Sequence, residues 1–213
     1  MIYLIITTCI LNRIGIQDAE KRKERYLYAI SQTLQYLPAT IRPIIVENNG
    51  DRSTYLEGFM HNSERVQVIY TDHNYTVYRS KAVNELLDIK EVIHRVGMSE
   101  ADIVIKLTGR YSITSPQFFN TVIENEESDK KSDAIIKCYC VDSLQFDRND
   151  CILGLYAMRC RYLIWMPTFY MNSYESSEKL FVKYIRSCGM RVNELNELCV
   201  ECCFGDNDKV LHV

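Results

Sequence analysis

The stretch ADIVIKLTGRYSI, residues 101–113, decides the fold of this 213-residue chain. Residues 102–107 form an apolar run rich in branched aliphatic side chains, which predicts a buried β-strand. The run ends in the tetrapeptide TGRY (108–111), which brings a hydroxyl, a flexible backbone, a cation and a phenol to one turn. We therefore predict that a polar site lies at the end of a core strand.

Strand and helix signals alternate on the N-terminal side of this stretch. Apolar runs predict strands at 2–8, 42–50 and 66–70, and apolar residues at helical spacing predict helices at 18–37, 53–60 and 80–96. Because the predicted strands lack a clean polar alternation, they indicate a mainly parallel sheet that is covered on both faces by helices. The sequence therefore predicts an α/β fold with a Rossmann-like sheet.

The pattern is looser after residue 115. The predicted elements are a helix at 116–127, a strand at 134–142, one or two strands within 151–166, a helix at 174–189 and a strand in the tail that begins at residue 199. No internal repeat or low-complexity linker divides the sequence. We therefore predict a single domain that spans residues 1–213.

Composition and charge exclude several classes of protein. The chain is 47% hydrophobic and 25% charged with a net charge of −3, which is typical of soluble domains and argues against a protein that coats nucleic acid. The apolar N-terminal run is too short for a membrane span. Nine cysteines form no spaced pair of C-x-x-C motifs, so we predict free thiols in a reducing compartment. We expect a cytoplasmic protein, in the host cytoplasm if the source is a virus.

Polar side chains follow three of the predicted strands. Because the carboxyl ends of parallel strands lie at one edge of a sheet, ligands bind there, near the point where the strand order reverses. A helix N-terminus, such as that of the 80–96 helix, also attracts anions. The predicted binding residues are Thr8, Asn12, Arg13, Glu47, Asn48, Arg79, Lys81, Asn84, Lys106, Thr108, Gly109 and Arg110.

Several of these residues also have a purely structural interpretation. The side chains after the first strand fit loop polarity and helix capping, and Asn48 with Asn49 fits a turn. Lys106 lies inside an apolar strand, where it either pairs with an acid across the sheet or reaches toward a phosphate. The cations at the start of the 80–96 helix oppose its dipole, which favours an anionic ligand or a partner acid.

Three segments together resemble the GT-A nucleotide-sugar glycosyltransferases, in particular the large inverting family with a single Rossmann-like domain. The segments are PIIVENNGDRST (43–54), HNYTVYRSKAVNELL (73–87) and ADIVIKL (101–107). The resemblance implies a nucleotide-sugar-binding half at 1–115 and an acceptor-binding half at 116–213. It also implies a sugar transfer from a nucleotide donor, with UDP as the first expectation, to a glycan or glycoprotein acceptor. The chain could also be one module of a longer polypeptide.

The chain departs from that family where the family places its metal-binding Asp-x-Asp motif, because Thr108-Gly109-Arg110 stands there instead. An arginine can bind phosphate oxygens through a bidentate fork, and a glycine lets the backbone approach a ligand. We therefore predict that no metal cofactor is required, while Mn²⁺ or Mg²⁺ remains possible. If a metal site exists, its predicted ligands are Asp206, Asp208 and His212.

An inverting transfer needs a carboxylate that takes the proton of the acceptor hydroxyl. By the resemblance, the acid at the start of a late helix is the base, so the candidates are Glu175 and Glu178, with Asp142 as the third. Acids in a first helical turn are also ordinary partners of the helix dipole. Tyr111, directly after Arg110, is the predicted acceptor-binding residue, because rings stack on sugar faces.

Two other functions stay open at this point. A sugar nucleotidyltransferase has a similar sheet, but it normally carries a glycine-rich loop with a basic residue after the first strand, and TTCILNRIG (7–15) does not provide one. A non-catalytic GT-A-like domain that only binds a sugar nucleotide is the other alternative, because the Asp-x-Asp motif is replaced. A dehydrogenase is disfavoured, since no G-x-G-x-x-G follows the first strand.

Overall fold

The fold consists of a central sheet, a small second sheet and helices that cover both. The computed structural model describes residues 1–11, 13, 17–49, 55–62, 66–75, 78, 80–168, 175–204 and 210–213. The elements of the first half are β1 (Ile2–Thr8), α1 (Ala19–Tyr36), β2 (Ile41–Glu47), α2 (Glu57–Asn62), β3 (Gln67–Tyr70), a 3₁₀ turn (His73–Tyr75), α3 (Lys81–Val96) and β4 (Ile103–Thr108). Those of the second half are β5 (Ser112–Ile113), α4 (Gln117–Glu127), β6 (Ala134–Ile136), β7 (Leu155–Arg159), α5 (Cys160–Trp165), α6 (Ser177–Ser187), β8 (Val192–Glu194), β9 (Val200–Cys203) and β10 (Val210–His212).

The seven-stranded central sheet has the order β3-β2-β1-β4-β7-β6-β8. The strands β1 to β4 are parallel, while β7 is antiparallel to both of its neighbours, β4 and β6. The predicted mainly parallel sheet is therefore confirmed. From β1 the chain builds outward to β2 and β3 and then returns to β4 on the other side of β1, so the strand order reverses between β1 and β4.

Burial explains why the first strands were easy to predict. All side chains of β1 and all of β4 are buried, including the charged Lys106, because hydrophobic clusters cover both faces of the sheet. Helix α1 begins where the Asp18 side chain accepts the N–H of Lys21. Helix α3 begins in the same way at Ser80 and ends at Gly97, which has a left-handed backbone with φ of 68°.

Two predictions for the second half were wrong in detail. The strand predicted at 134–142 ends at Ile136, and the chain continues into a hairpin that is held by isolated bridges such as Cys138 to Cys151. The run at 151–166 contains one strand, β7, followed by the helix α5. Short apolar runs look alike in strands and helices, and in α5 the buried Cys160 and Leu163 have helical spacing.

The edge strand β8 was not predicted. Its residues Val192–Glu194 are only partly buried, so they carry no continuous apolar signal. The small sheet has the order β10-β9-β5, and its middle strand β9 corresponds to the predicted strand in the tail. All nine cysteines are free thiols, as predicted. None of the described helices is long and apolar enough to cross a membrane.

Candidate functional site

A cavity of about 310 Å³ lies at the carboxyl ends of β1, β2 and β4, where the strand order reverses. Predicted binding residues in its wall are Thr8, Arg13, Asn48, Lys81, Asn84 and Arg110. The three polar loops therefore meet at one edge of the sheet, together with the start of α3. The contact of these residues with a ligand remains a prediction.

Positive charge dominates the wall of this cavity. The cations are Arg13, Arg22, Lys81 and Arg110, and Glu85 is the acid among the described lining residues. The chain as a whole has a net charge of −3, so the concentration of cations at this edge is local. A cleft with this charge attracts anions such as phosphate groups.

Arg110 lies in the wall that this cavity shares with a second one. Its Nη1 donates to the phenol oxygen of Tyr26 at 3.3 Å, and its Nε donates to the carbonyl of Cys203 at 3.4 Å. The guanidinium is thus held by α1 on one side and by β9 on the other, and it borders both cavities.

Lys106 pairs with an acid, which was one of the two alternatives that its position in the strand left open. Its Nζ lies 2.9 Å from Oε2 of Glu85 and donates to Oγ1 of Thr108 at 2.7 Å and to the carbonyl of Leu153 at 3.2 Å. The acid comes from α3, which covers the sheet, and not from a neighbouring strand. Burial opposes the ionisation of Glu85, but the Lys106 ammonium outweighs it and lowers the pKa of that carboxyl.

Gly109 is required for close packing. A Cβ atom at this position would lie 2.8 Å from Cγ2 of Thr8, 2.9 Å from the carbonyl oxygen of Thr7 and 3.0 Å from Cδ1 of Tyr26. The Gly109 N–H also donates to the Thr7 carbonyl at 2.9 Å. The turn after β4 therefore lies directly against the end of β1 and the ring of Tyr26, a structural need that the sequence did not reveal.

Thr8, Asn48 and Arg13 are anchored in the cavity wall by hydrogen bonds. Thr8 Oγ1 donates to the Val46 carbonyl at 2.9 Å, and Asn48 Nδ2 donates to Asp88 at 2.9 Å. Arg13 Nη1 donates to the Asn74 carbonyl at 2.9 Å. These contacts join the end of β1 to β2, the loop after β2 to α3, and Arg13 to the 3₁₀ turn after β3.

Glu47 is fully buried beneath the first loop and is not one of the lining residues. Its carboxylate accepts the N–H of Ile10 at 2.9 Å and the phenol of Tyr55 at 2.8 Å. Burial raises its pKa, against the effect of these hydrogen bonds. In this structure Glu47 holds the loop, and its role as a binding residue remains a prediction.

A second cavity of about 500 Å³ adjoins the first and shares Lys81, Glu85 and Arg110 with it. Glu178, in the first turn of α6, lies in its wall. Burial raises the pKa of Glu178, and the nearby Asp150 acts in the same direction. A carboxylate with a raised pKa in a cleft is suited to take a proton near neutral pH.

Tyr111 lines this second cavity with most of its ring buried. The ring packs edge-on against Phe204, with 6.4 Å between the centroids. It also lies on Gly154, where a Cβ atom would come within 2.0 Å of Cε2 of Tyr111. The position fits the predicted role in acceptor binding, although only part of the ring reaches the cavity.

The other predicted site residues lie elsewhere or outside the described chain. Glu175 precedes α6, is exposed and pairs with Lys183 at 2.7 Å, and Asp142 is exposed in the β6–β7 hairpin. Neither of them lines the two cavities. His212 in β10 lines a separate cavity and is 3.9 Å from Glu201. Outside the described residues lie Asn12, Arg79, Asp206 and Asp208.

The described donors of the first cavity do not fit a divalent cation. Mg²⁺ and Mn²⁺ prefer carboxylate oxygens, and the lining acid, Glu85, is already bound to Lys106 and to the Thr7 hydroxyl at 3.0 Å. Among the described residues, a group that could hold a metal is formed by Cys140, Asp147 and Asp150 in the β6–β7 hairpin. Those three residues line neither cavity.

Sequence reasoning missed Arg22, Tyr26 and Glu85 as parts of the cavity wall. Tyr26 is on the buried face of α1, and Arg22 is one turn earlier on the same face. A cation on the buried face of an amphipathic helix was the available signal, since such a charge needs partners. Glu85 follows Asn84 in the first turns of α3, where an acid is common and carries no specific signal.

The sequence matches no family model and no curated protein. Solved structures share the fold at low identity. A protein from Desulfovibrio desulfuricans G20 assigned to the nucleotide-diphospho-sugar transferases has a TM-score of 0.59 at 11% identity, over 91% of this chain and 79% of that one. The chain has the fold of the nucleotide-diphospho-sugar transferases.

Two further structures represent two different reactions on this fold. CMP:2-keto-3-deoxy-manno-octonic acid synthetase in complex with CTP has a TM-score of 0.57 at 15% identity, over 91% of this chain and 88% of that one. Mouse xyloside xylosyltransferase 1 has a TM-score of 0.53 at 9% identity, over 91% and 84%. At these identities the likeness shows the fold and leaves the reaction open.

Proposed function

We propose that the protein is a glycosyltransferase that moves a sugar from a nucleotide-sugar donor, with UDP as the first candidate carrier, to a hydroxyl of a glycan or glycoprotein. One observation carries this proposal: Arg110 lies between two adjoining cavities, one lined with cations and the other containing Glu178. In this proposal the first cavity holds the diphosphate and the second holds the acceptor.

In the proposed reaction Glu178 takes the proton of the acceptor hydroxyl while the oxygen of that hydroxyl attacks the anomeric carbon of the sugar. The bond between that carbon and the β-phosphate oxygen breaks, and the nucleoside diphosphate leaves with both electrons of the bond. Because the attack comes from the side opposite the leaving group, the configuration inverts. The Arg110 guanidinium, with Lys81 at the start of α3, stabilises the negative charge that grows on the β-phosphate.

The described side chains of the first cavity argue for a reaction without a metal there, because they do not offer the carboxylate ligands that a divalent cation needs. A guanidinium at the position of the family's Asp-x-Asp motif supplies positive charge directly and needs no such ligands. Lys106 lies beneath Thr108 in the wall of the second cavity, where Glu85 balances its charge.

The test begins with a thermal-shift screen of UDP-, GDP-, CMP- and dTDP-sugars. A donor at 100 times its dissociation constant stabilises the protein by about 2.7 kcal/mol, which is easily measured. The stabilising donor is then incubated with the protein and the released sugar is quantified, since a transferase slowly transfers sugar to water. Release of free sugar and nucleoside diphosphate supports the proposal. Binding without any turnover would favour a non-catalytic domain.

A sugar nucleotidyltransferase remains the second candidate, because the synthetase that binds CTP has a similar fold. The same screen distinguishes the two, since a nucleotidyltransferase binds a free nucleoside triphosphate and releases pyrophosphate from it. Stabilisation by CTP or UTP with pyrophosphate release in the presence of a sugar or sugar phosphate would favour that reaction.

A further inference from the structure

Tyr26 on α1 lies between the guanidiniums of Arg22 and Arg110. Its phenol oxygen is 2.6 Å from Nη2 of Arg22 and 3.3 Å from Nη1 of Arg110. We propose that Tyr26 is a positioning residue that holds the Arg110 guanidinium toward the terminal phosphate of the nucleotide. The inference rests on the proposed function, because it assumes that Arg110 binds that phosphate.

Hydrogen bonds fix the phenol of Tyr26 from the side of the first loop. Nε of Arg22 donates to the Cys9 carbonyl at 2.8 Å, and the Cys9 N–H donates to the phenol oxygen at 3.1 Å. The phenol oxygen in turn donates its proton to the same Cys9 carbonyl, with 3.3 Å between the two oxygens. Both Arg22 and Tyr26 are almost completely buried, so these groups have little freedom to rearrange.

Packing holds the ring as firmly as the hydrogen bonds hold its oxygen. Tyr26 stacks on Tyr55 with 6.1 Å between the ring centroids and 23° between the ring planes. A Cβ at Gly109 would lie only 3.0 Å from Cδ1 of Tyr26, so the ring is also in close contact with the turn after β4. The ring therefore supports the turn that carries Arg110, while the phenol oxygen sets the direction of the guanidinium.

The protonation state of Tyr26 suits this task. Burial raises its pKa and outweighs the two guanidiniums, which act in the opposite direction. The phenol therefore stays neutral and keeps its proton for the Cys9 carbonyl, and its lone pairs are shared by the two guanidiniums and the Cys9 N–H. Removing this oxygen leaves the ring in place, but it also takes an acceptor from Arg22 and from the Cys9 N–H. The double variant with Arg110→Ala therefore separates the effect on Arg110 from these other losses.

The test compares nucleoside monophosphates with diphosphates. Dissociation constants are measured by calorimetry for the uridine, guanosine, cytidine and thymidine pairs, and the tightest pair is used. The ratio of the monophosphate constant to the diphosphate constant reports the contribution of the terminal phosphate. Tyr26→Phe, Arg110→Ala and the double variant are compared with the wild-type protein.

We expect Arg110→Ala to bring the ratio close to one and Tyr26→Phe to lower it about fivefold, the effect of one ordinary hydrogen bond. Adding Tyr26→Phe to Arg110→Ala should change the ratio no further, because the phenol acts through the guanidinium. A purely structural role of the phenol would weaken both nucleotides equally and leave the ratio unchanged, which would overturn the inference.

Tyr184→Phe is the matched control, since this buried phenol on α6 donates to the Tyr162 carbonyl at 2.7 Å and lies in neither cavity wall. It should leave the ratio unchanged. If Tyr26→Phe does not fold, nuclear magnetic resonance of the wild-type arginine side chains gives the answer. Slow rotation of the Arg110 guanidinium supports the inference, and fast rotation contradicts it.

The outcomes separate this inference from the proposed function. If Arg110→Ala loses the preference for the diphosphate and Tyr26→Phe retains it, the positioning role is wrong and the proposed function stands. If Arg110→Ala retains the preference for the diphosphate, or if the wild-type protein has no such preference, the positioning role and the proposed function are both wrong.

Discussion

The ammonium of Lys106 on β4 lies 2.9 Å from the carboxylate of Glu85 on α3, beneath the turn that carries Arg110. The Lys106 side chain is only 2% exposed, so its charge depends on this partner. The pair connects the central strand of the sheet to the helix whose first turn borders both cavities.

Removing one member of this pair should be costly. We expect Lys106→Met or Glu85→Gln to lower the free energy of unfolding by about 3 kcal/mol, because a charge remains without its partner in a buried place. The double variant Lys106→Met/Glu85→Leu should lose less than the sum of the single changes. Urea unfolding at neutral pH measures these values.

Lys183→Met is the control for that comparison, because Lys183 pairs with Glu175 on the surface at 2.7 Å, a distance close to the 2.9 Å of the buried pair. It should cost less than about 1 kcal/mol. The lowered pKa of Glu85 also predicts a pH dependence. Its contribution to stability is present above the ordinary value of 4.5 and is lost as the pH falls through the lower folded value, and Glu85→Gln should remove this dependence. Equal losses at Lys106 and Lys183 would contradict the assignment.

Glu178 should be the base of the transfer. We expect Glu178→Gln to reduce turnover by about 10²- to 10⁴-fold while the dissociation constant of the donor stays unchanged. Because the base must be ionised and burial raises its pKa, wild-type turnover should fall as the pH drops through a value above 4.5. Glu175→Gln, at the exposed alternative, should have little effect. Loss of turnover in Glu175→Gln and not in Glu178→Gln would reverse the assignment.

Gly109→Ala should disturb both stability and donor binding. The added Cβ meets the Thr7 carbonyl and the Tyr26 ring, so the turn must shift, at a cost of about 1–3 kcal/mol. Donor affinity should fall with it, since Arg110 is the next residue. The control is Gly58→Ala in α2, where no atom lies within 4 Å of the added Cβ. Thermal unfolding and calorimetry measure both effects, and equal results for the two alanines would contradict the packing argument.

His73 should make stability depend on pH near neutrality. Its Nδ1 lies 2.9 Å from Oδ1 of Asp88 and its Nε2 lies 3.1 Å from Glu91. The hydrogen bond with Asp88 raises the pKa of His73 although burial opposes it. The stabilisation is fully present below 6.5, the ordinary value, and is lost as the pH rises through the folded value.

Unfolding of His73→Gln at several pH values tests this prediction. The glutamine keeps a hydrogen-bonding group beside Asp88 but does not titrate, so the decline of stability above pH 6.5 should become smaller. The exposed His94→Gln serves as the control and should retain the wild-type profile. An unchanged profile in His73→Gln would show that the Asp88–His73 contact does not carry the dependence.

The sequence was informative where burial is continuous. Every residue of β1 is buried, so the predicted bounds 2–8 coincide with the strand, whereas β8 at the sheet edge gave no apolar run. The helix α5 was taken for a strand, because six residues are too few to separate the two periodicities.

The candidate site was predictable as far as it follows from strand ends. Arg110 could be placed because parallel strands bring their carboxyl ends together, but its contact with Tyr26 depends on how α1 packs on the turn after β4. The difference between Glu175 and Glu178 likewise depends on where α6 begins, since Ser176 is its N-cap and only Glu178 is in its first turn. The contact of Arg110 comes from tertiary packing and has no local signal, whereas the start of α6 depends on which of the neighbouring polar residues caps the helix.

In the proposed reaction the guanidinium of Arg110 meets the terminal phosphate of the donor, in place of a cation held by acids. The most direct measurement is the dissociation constant of UDP for the wild-type protein and Arg110→Ala in excess EDTA and again with Mn²⁺. We predict that the wild-type protein binds UDP equally well in both conditions and that Arg110→Ala binds it at least about tenfold more weakly in both. Binding that vanishes in EDTA and returns with Mn²⁺, or an Arg110→Ala variant with wild-type affinity, would contradict the account.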